Sequence, residues 1–397
     1  MKNLSEIVVI SAVRTALGRF GGGFKNVSVH ELGAKAIQTA LLKAGVRGDQ
    51  INETVFGNCR QAGNGPNPAR TASVKGGIPK TVPAQTINMA CPSAMKALQI
   101  AAESIMADRN DIVLAGGMDS MSTIPYLLKD CRWEGFKMGD KVLMDGWSDN
   151  IDPLCGYGMG MTAENLAAKY GVSREDQDKF ALASHLKAAE AVKQGYFKNE
   201  IVPFEIPSEG REPAVTIDKD EVIRADTTLE KLAKLRPAFK KDGSVTAGNA
   251  CAMSDGATAM VVTHKMKAKE LNLYPLFSIR AFSCAAVEPD VMGEGPSVAI
   301  PAALKAAGMK ISDIDLFEIN EAFAVQALMN VRALEIPQEK LNIFGGAIAL
   351  GHPTGISGAR IVLTLYNALK IRNKEIGCAA ICGAGGVAMA AVIKREC

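Results

Sequence analysis

At 397 residues, and with about 150 for a typical domain, the chain has room for two to three domains and a large core, which excludes a single small module or a disulfide-stapled scaffold. Its 45 Lys and Arg against 42 Asp and Glu leave a formal charge of +3, too balanced for a surface built chiefly to attract nucleic acid or anionic lipid. Hydrophobic residues at 48% and charged residues at 22% fit a soluble globular protein, and 38 glycines exceed the usual share of about 7%, so tight turns or close backbone approaches are expected.

Residues 1–6 run directly into a strand-like apolar run at 7–10, leaving no room for an export signal. A helical pattern follows over 32–44, then strand-like runs at 55–57 and 112–115, an alternation that predicts a layered α/β protein. From 121 to 248 the character changes: both tryptophans, many charges and the loop-rich tract 203–213 surround an amphipathic helix at 174–194, and this reads as an inserted domain. Alternation resumes with strands at 257–262, 278–281 and 314–317. The charge-free run 376–393 nears the length of a membrane span, but Gly377, Gly383, Gly385 and Gly386 suit two buried strands around a turn. Nine scattered cysteines without a CxxC pair point to neither a disulfide framework nor a zinc ribbon, and a reducing, cytoplasmic home is expected.

Two distant segments share a pattern. Cys91-Pro92-Ser93 opens a helical stretch through Ala102, after which a strand ends in Gly116-Gly117; His352-Pro353-Thr354 opens one through Leu369, after which a strand ends in Cys382-Gly383. A second echo pairs 53–58 with 316–321. Two copies of one α/β unit packed face to face would bring their helix starts together.

The side chains at those starts carry chemistry. A cysteine at a helix start feels unsatisfied N–H groups and the positive dipole end, which favour the thiolate, and Pro92 suits the first turn. The bland alternative is a buried structural thiol. Of four histidines, only His352 lies in a glycine-dense turn, where a backbone or ligand can approach the ring. Cys with a remote His is also the constellation of cysteine hydrolases, so this pair names nucleophilic catalysis without naming the substrate. Cys382 adds a second thiol before Gly383-Ala384-Gly385-Gly386, whose backbone N–H groups suit a developing oxyanion, and this suggests proton transfer at carbon. Asn320 can donate to a carbonyl oxygen that becomes negative, or cap a helix.

Taken in order, Cys91, Asn320-Glu321-Ala322-Phe323, Gly351-His352-Pro353 and Cys382-Gly383 resemble the thiolases, as do Gly116-Gly117-Met118-Asp119-Ser120-Met121-Ser122, Met159-Gly160, Leu235-Arg236-Pro237-Ala238-Phe239 and Thr246-Ala247-Gly248-Asn249-Ala250. The resemblance spans essentially the whole chain. It implies a duplicated five-layered α/β/α/β/α fold, with a first half at 1–120 and 249–274, a CoA-binding loop domain at 121–248 and a second half at 275–397. It also implies a reversible Claisen condensation of acyl-CoA thioesters. Cys91 would become acylated, His352 would activate it and bind the thioester oxygen, Cys382 would remove the α-proton, and Asn320 would hold a water on the enolate. Backbone N–H groups of Cys91 and Ala384 would hold the acyl oxygen. Arg224, Lys234 and Phe239 match positions for adenine and phosphate contacts, while Met159, Ala250, Cys251 and Phe323 are expected along the substrate.

The sequence departs from the family pattern at four places. Pro92 follows the nucleophile, Cys251 replaces a Ser that contacts pantetheine, Gly158 stands where many relatives have His, and Ala384 replaces a Gly. The resemblance further implies acetyl-CoA, acetoacetyl-CoA and CoA as partners, a homotetramer or homodimer, and neither a metal nor a tightly bound cofactor. Short-chain acetyl-CoA C-acetyltransfer is the favoured activity; a broad-range 3-ketoacyl-CoA thiolase and a non-catalytic lipid or CoA carrier are the alternatives.

Overall fold

A computed structural model describes residues 3–133, 135–146, 151–208 and 213–396. Residues 1, 2 and 397, which the two expected halves include, and 209–212 of the loop-rich tract lie outside the described residues. The principal strands are β1 (Ile7–Thr15), β2 (Glu53–Gly57), β3 (Ala84–Ile87), β4 (Ile112–Ser120), β5 (Ser254–His264), β6 (Phe277–Ala286), β7 (Leu316–Ile319), β8 (Ile376–Cys382) and β9 (Val387–Arg395). The principal helices are α1 (Val29–Ala44), α2 (Pro68–Lys75), α3 (Ser93–Met106), α4 (Met159–Tyr170), α5 (Arg174–Lys193), α6 (Gly295–Ala307), α7 (Ala324–Ala333) and α8 (Ser357–Ile371). The charge-free run near the C-terminus forms β8 and β9, paired antiparallel from Ile376↔Lys394 to Cys382↔Ala388. Among the described residues no helix is long and apolar enough to cross a membrane.

The strands lie in the order β7-β8-β9-β6-β1-β5-β4-β2-β3. β1 joins the two halves through a short antiparallel contact with β6 at Val8↔Ser278 and Val9↔Phe277. β1, β4 and β5 are buried at every position, the expected state for strands covered by helices on both faces. Helices α1 and α2 cover the outer face of the first half, α6 covers the outer face of the second, and α3 and α8 pack on each other between the two. These are the five layers of an α/β/α/β/α architecture.

Local sequence explains the individual elements. In α1, Ser28 Oγ accepts from Glu31 N at 3.3 Å while Glu31 reaches back to Ser28 N at 3.0 Å, and Gly45 at φ 66° ends the helix. Its apolar stripe of Leu32, Ala36, Ile37 and Ala40 is buried. Of the two central helices, α8 faces protein on every side, buried from Ser357 through Leu369. Their close approach needs small residues, since a Cβ on Gly358 would meet Met95 N at 2.7 Å. Fully burying Leu98 and Ile105 of α3 in this layer contributes roughly 1.5–3 kcal/mol each.

Candidate active site

The two helix starts deliver the chemistry. Asn88 Oδ1 accepts from Ala90 N at 3.0 Å, closing a local turn that holds Ala90 at φ 52°, and the chain then passes through Cys91 and Pro92, the N-cap of α3. In the second half α8 begins only at Ser357, later than the pattern around His352 predicts. Gly351 at φ 105° and the two residues Pro353 and Thr354 form a separate turn, fixed by His352 N donating to Ala252 O at 3.0 Å. Gly351 abuts Ser254: a Cβ there would overlap the Ser254 side chain.

Cys91, His352 and Cys382 line one cavity of about 210 Å³. Ala384, Met159, Phe239, Ala250, Cys251 and Phe323 line it too, as do Arg60, Met121, Met292 and Thr354. Asn320 does not line it, and Arg224 and Lys234 are exposed on the loop domain outside it. Among the described residues no group of three or more His, Cys, Asp or Glu is arranged to hold a metal ion.

Ser357 sets the hydrogen bonding of the His352 ring. Its Oγ lies 2.9 Å from Pro353 O and 2.6 Å from His352 Nδ1, so when the hydroxyl proton goes to the carbonyl the oxygen accepts from Nδ1–H. In that tautomer the lone pair is on Nε2, which has no hydrogen-bond partner among the described residues. Burial, with repulsion from Arg360 and Arg60, pulls His352 down to about 3, so the imidazole is neutral and able to accept a proton.

The thiols depart from the sequence expectation. A helix start favours thiolate, yet Cys91 is held well above the ordinary thiol range because the surrounding protein excludes water, with the neighbouring Cys59, Cys382 and Cys251 adding to it. Burial likewise pushes Cys382 and Cys251 up to about 12. Desolvation outweighs the half-charge of the helix end. Both thiols are protonated, and a base is needed to activate either.

The Gly-rich turn after β8 abuts Cys91 and Pro92: a Cβ on Gly383 would lie 2.6 Å from Pro92 Cδ and 3.3 Å from Cys91 N. Positive φ falls on Gly385 (80°) and Gly386 (79°) and not on Ala384, so the alanine is accommodated without strain. Gly385 N donates to Asp152 Oδ2 at 2.6 Å, a loop-domain clamp on this turn.

Asn320 is not a helix cap; Phe323 occupies the N-cap of α7. Asn320 Oδ1 accepts from Arg360 Nη2 at 3.3 Å, which directs the amide NH2 away from Arg360, and Nδ2 has no partner among the described residues.

Two residues inside the family-like segments hold the site through partners distant in sequence. Asp119 at the end of β4 accepts from Asn58 Nδ2 (2.7 Å), Arg60 N (2.9 Å), Thr354 Oγ1 (2.7 Å) and Gly355 N (2.6 Å), binding the first half to the turn that carries His352. Glu321 accepts from Ser184 Oγ (2.6 Å), Asn342 Nδ2 (2.9 Å) and Ile348 N (3.2 Å), fixing the segment that leads into Gly351.

A five-layered fold with a cysteine at one helix start, a histidine before its counterpart and a second thiol beside a glycine turn defines an acyltransferase of thiolase type. Family models for the thiolase N-terminal and C-terminal domains match residues 7–266 and 273–395, and the chain belongs to the thiolase family. It is 48% identical over 397 residues to a probable acetyl-CoA acyltransferase of Staphylococcus aureus strain COL, an alignment covering 99% of this chain and 100% of the relative. The crystal structure of the Bacillus anthracis acetyl-CoA acetyltransferase superimposes with a TM-score of 0.96 at 42% identity, over 100% of both chains. Human mitochondrial 3-ketoacyl-CoA thiolase gives a TM-score of 0.96 at 38% identity, again over 100% of both.

Proposed function

We propose that the chain is an acetyl-CoA C-acetyltransferase that condenses two acetyl-CoA molecules reversibly to acetoacetyl-CoA and CoA. Nε2 of His352 takes the Cys91 proton, and the thiolate attacks acetyl-CoA to give an acetyl-enzyme and CoA. The thioester oxygen is held by the N–H groups of Cys91 and Ala384. Cys382, deprotonated as the first CoA departs, removes the α-proton of a second acetyl-CoA. The enolate oxygen is held by His352 and by a water on Asn320 Nδ2 while its carbon displaces Cys91. Arg224, Lys234 and Phe239 receive the adenine and phosphates, with Met159, Ala250, Cys251 and Phe323 along the pantetheine and acyl path.

The observation that supports this reading is the convergence of two protonated thiols and an open imidazole Nε2 on one cavity. A hydrolase has no use for the second thiol. A cavity of about 210 Å³ that must hold the thioester end as well as the acyl chain favours a short acyl group over a long one. The test is incubation with radiolabelled acetyl-CoA followed by peptide mapping, with label expected on Cys91; absence of labelled protein would support a non-catalytic carrier instead. Relative thiolysis of acetoacetyl-CoA and an eight- or ten-carbon 3-ketoacyl-CoA then separates the two enzyme readings, and preference for the longer chain rejects the short-chain one.

A further inference from the structure

The turn that carries His352 and the loop that follows β2 meet at one carboxylate. Asp119, fully buried at the end of β4, takes two donors on each oxygen. Oδ1 accepts from Asn58 Nδ2 at 2.7 Å and Arg60 N at 2.9 Å, and Oδ2 accepts from Thr354 Oγ1 at 2.7 Å and Gly355 N at 2.6 Å. A carboxylate offers about four lone-pair sites, so each of them is used. Burial raises the pKa of this group, and the Arg60, Thr354 and Gly355 donors and the Arg60 charge oppose that rise.

The connection reaches Cys91 through a single peptide group. The N–H that Arg60 donates to Asp119 belongs to the bond between Cys59 and Arg60, and the carbonyl of that same bond, Cys59 O, accepts from Asn88 Nδ2 at 3.3 Å. Asn88 Oδ1 accepts in turn from the N–H of Ala90, the residue before Cys91, at 3.0 Å. An unbroken run of hydrogen bonds therefore leads from Thr354 and Gly355, just past His352, to the turn that presents the nucleophile. Missing side chains let the parts touch: a Cβ on Gly355 would lie 2.9 Å from Cys59 N and 3.0 Å from Asp119 Cγ, and one on Gly57 would lie 2.6 Å from Gly355 O.

We infer that Asp119 is a positioning residue for acyl transfer: its carboxylate sets the separation and aim of Cys91 and His352, which reach the cavity from different halves of the fold. The inference rests on the proposed roles of Cys91 as acyl acceptor and His352 as its base. Asp119 does not line the cavity, so it acts through the two turns and not on the substrate. The task requires an anion with four acceptor sites. In Asp119→Asn one oxygen becomes an NH2 group facing two donors, so whichever way the amide turns, either the Asn58 and Arg60 edge or the Thr354 and Gly355 edge is released. Misplacing a reacting group by about 1 Å costs on the order of 10²-fold in rate.

The test is the single-turnover rate of Cys91 labelling by radiolabelled acetyl-CoA, measured on the full-length enzyme carrying Asp119→Asn, His352→Asn or both, with thermal unfolding as the check on folding. Asp119→Asn is expected to slow labelling on the order of 10²-fold, with the half-saturating acetyl-CoA concentration within about threefold of wild type. Once His352 is replaced there is no imidazole to misplace, so the same change should slow the residual labelling by a factor at least tenfold smaller, on the order of the coupling seen between groups that act as a unit. A merely structural carboxylate would cost the same factor in both backgrounds, and a difference below about tenfold overturns the inference. So does a folded Asp119→Asn that labels within about threefold of the wild-type rate. If that variant does not fold, Thr354→Val takes its place, being close in shape and removing one of the four donors. Labelling slowed roughly tenfold beside an intact His352 and by less than about twofold beside His352→Asn supports the inference, and any other pattern overturns it. Wild-type enzyme that takes no label on Cys91 removes the acyl-transfer reading and this inference with it, whereas labelled wild type with equal losses in the two backgrounds removes the positioning role alone.

Discussion

Replacing Ser357 with alanine isolates the role of the His352 tautomer. In the tautomer that leaves Nε2 open for the Cys91 proton, the Ser357 oxygen accepts from Nδ1–H at 2.6 Å and gives its own proton to Pro353 O. Without that oxygen the Nδ1–H is a buried donor with no acceptor, a loss of roughly 1–3 kcal/mol that the ring escapes by carrying its proton on Nε2 instead. The escape removes the lone pair that must receive the Cys91 proton. At about 1.4 kcal/mol per decade, acylation should slow by roughly 10- to 100-fold. Ser357 does not line the cavity, so KM for acetyl-CoA should stay within about threefold of wild type. The assay is rapid-quench measurement of acyl-enzyme formation with enzyme in excess, alongside thermal unfolding. An acylation rate within twofold of wild type in a folded variant would refute the tautomer argument, and a lowered Tm without a slower rate would reduce Ser357 to a structural residue.

Cys382→Ala should still take label on Cys91 from acetyl-CoA yet lose exchange of the α-protons with deuterated water by on the order of 10²- to 10⁴-fold; exchange at the wild-type rate sinks its assignment as base. Because burial holds the Cys91 thiol well above its ordinary value of 9.0, its thiolate fraction should rise tenfold per pH unit, so alkylation of the free enzyme by iodoacetamide climbs through pH 7–9 without levelling. A plateau near neutrality would reveal a preformed thiolate. His352, lowered to about 3, binds its proton only in strong acid, so kcat/KM should show no limb at pH 6.5 on acidification, and a limb there traceable to His352 contradicts the burial argument. Gly383→Ala would press a methyl group to 2.6 Å from Pro92 Cδ and 3.3 Å from Cys91 N, costing roughly 1–3 kcal/mol and moving the nucleophile. Its kcat should fall more than its Tm suggests, and an unaltered kcat would show that the contact relaxes freely.

Much of the fold was legible because it is written in local periodicity. The strand expected at 7–10 extends to Thr15, the helix expected over 32–44 begins at Val29 behind its Ser28 cap, and the amphipathic helix at 174–194 is α5 with Gln194 as its C-cap. Boundaries moved where a backbone constraint overrode the apolar pattern. The clearest case is α8, which starts at Ser357 because the turn through Gly351 and Pro353 is held by a hydrogen bond to Ala252, far away in sequence. The clamps on the site were not legible for the same reason. Asp119 meets Thr354 across 235 positions, and Gly385 meets Asp152 across 233, so neither pairing leaves a spacing that a single sequence can show.

The duplication also explains why equivalent positions differ in chemistry. Asn58 and Asn320 each follow a short strand, β2 and β7, and each donates its backbone N–H to a neighbouring strand, at Ile87 O and Ala380 O. Their side-chain amides then diverge. Asn58 commits its NH2 group to Met118 O at 3.0 Å and Asp119 Oδ1 at 2.7 Å, making it part of the clamp. Asn320 keeps Nδ2 without a described partner, as His352 keeps Nε2, and a buried polar atom left this way costs roughly 1–3 kcal/mol. Scaffold symmetry brings two helix starts together. Polar satisfaction differs between the copies: the first half commits the Asn58 amide to the clamp, whereas the second leaves Asn320 Nδ2 and His352 Nε2 without a described partner.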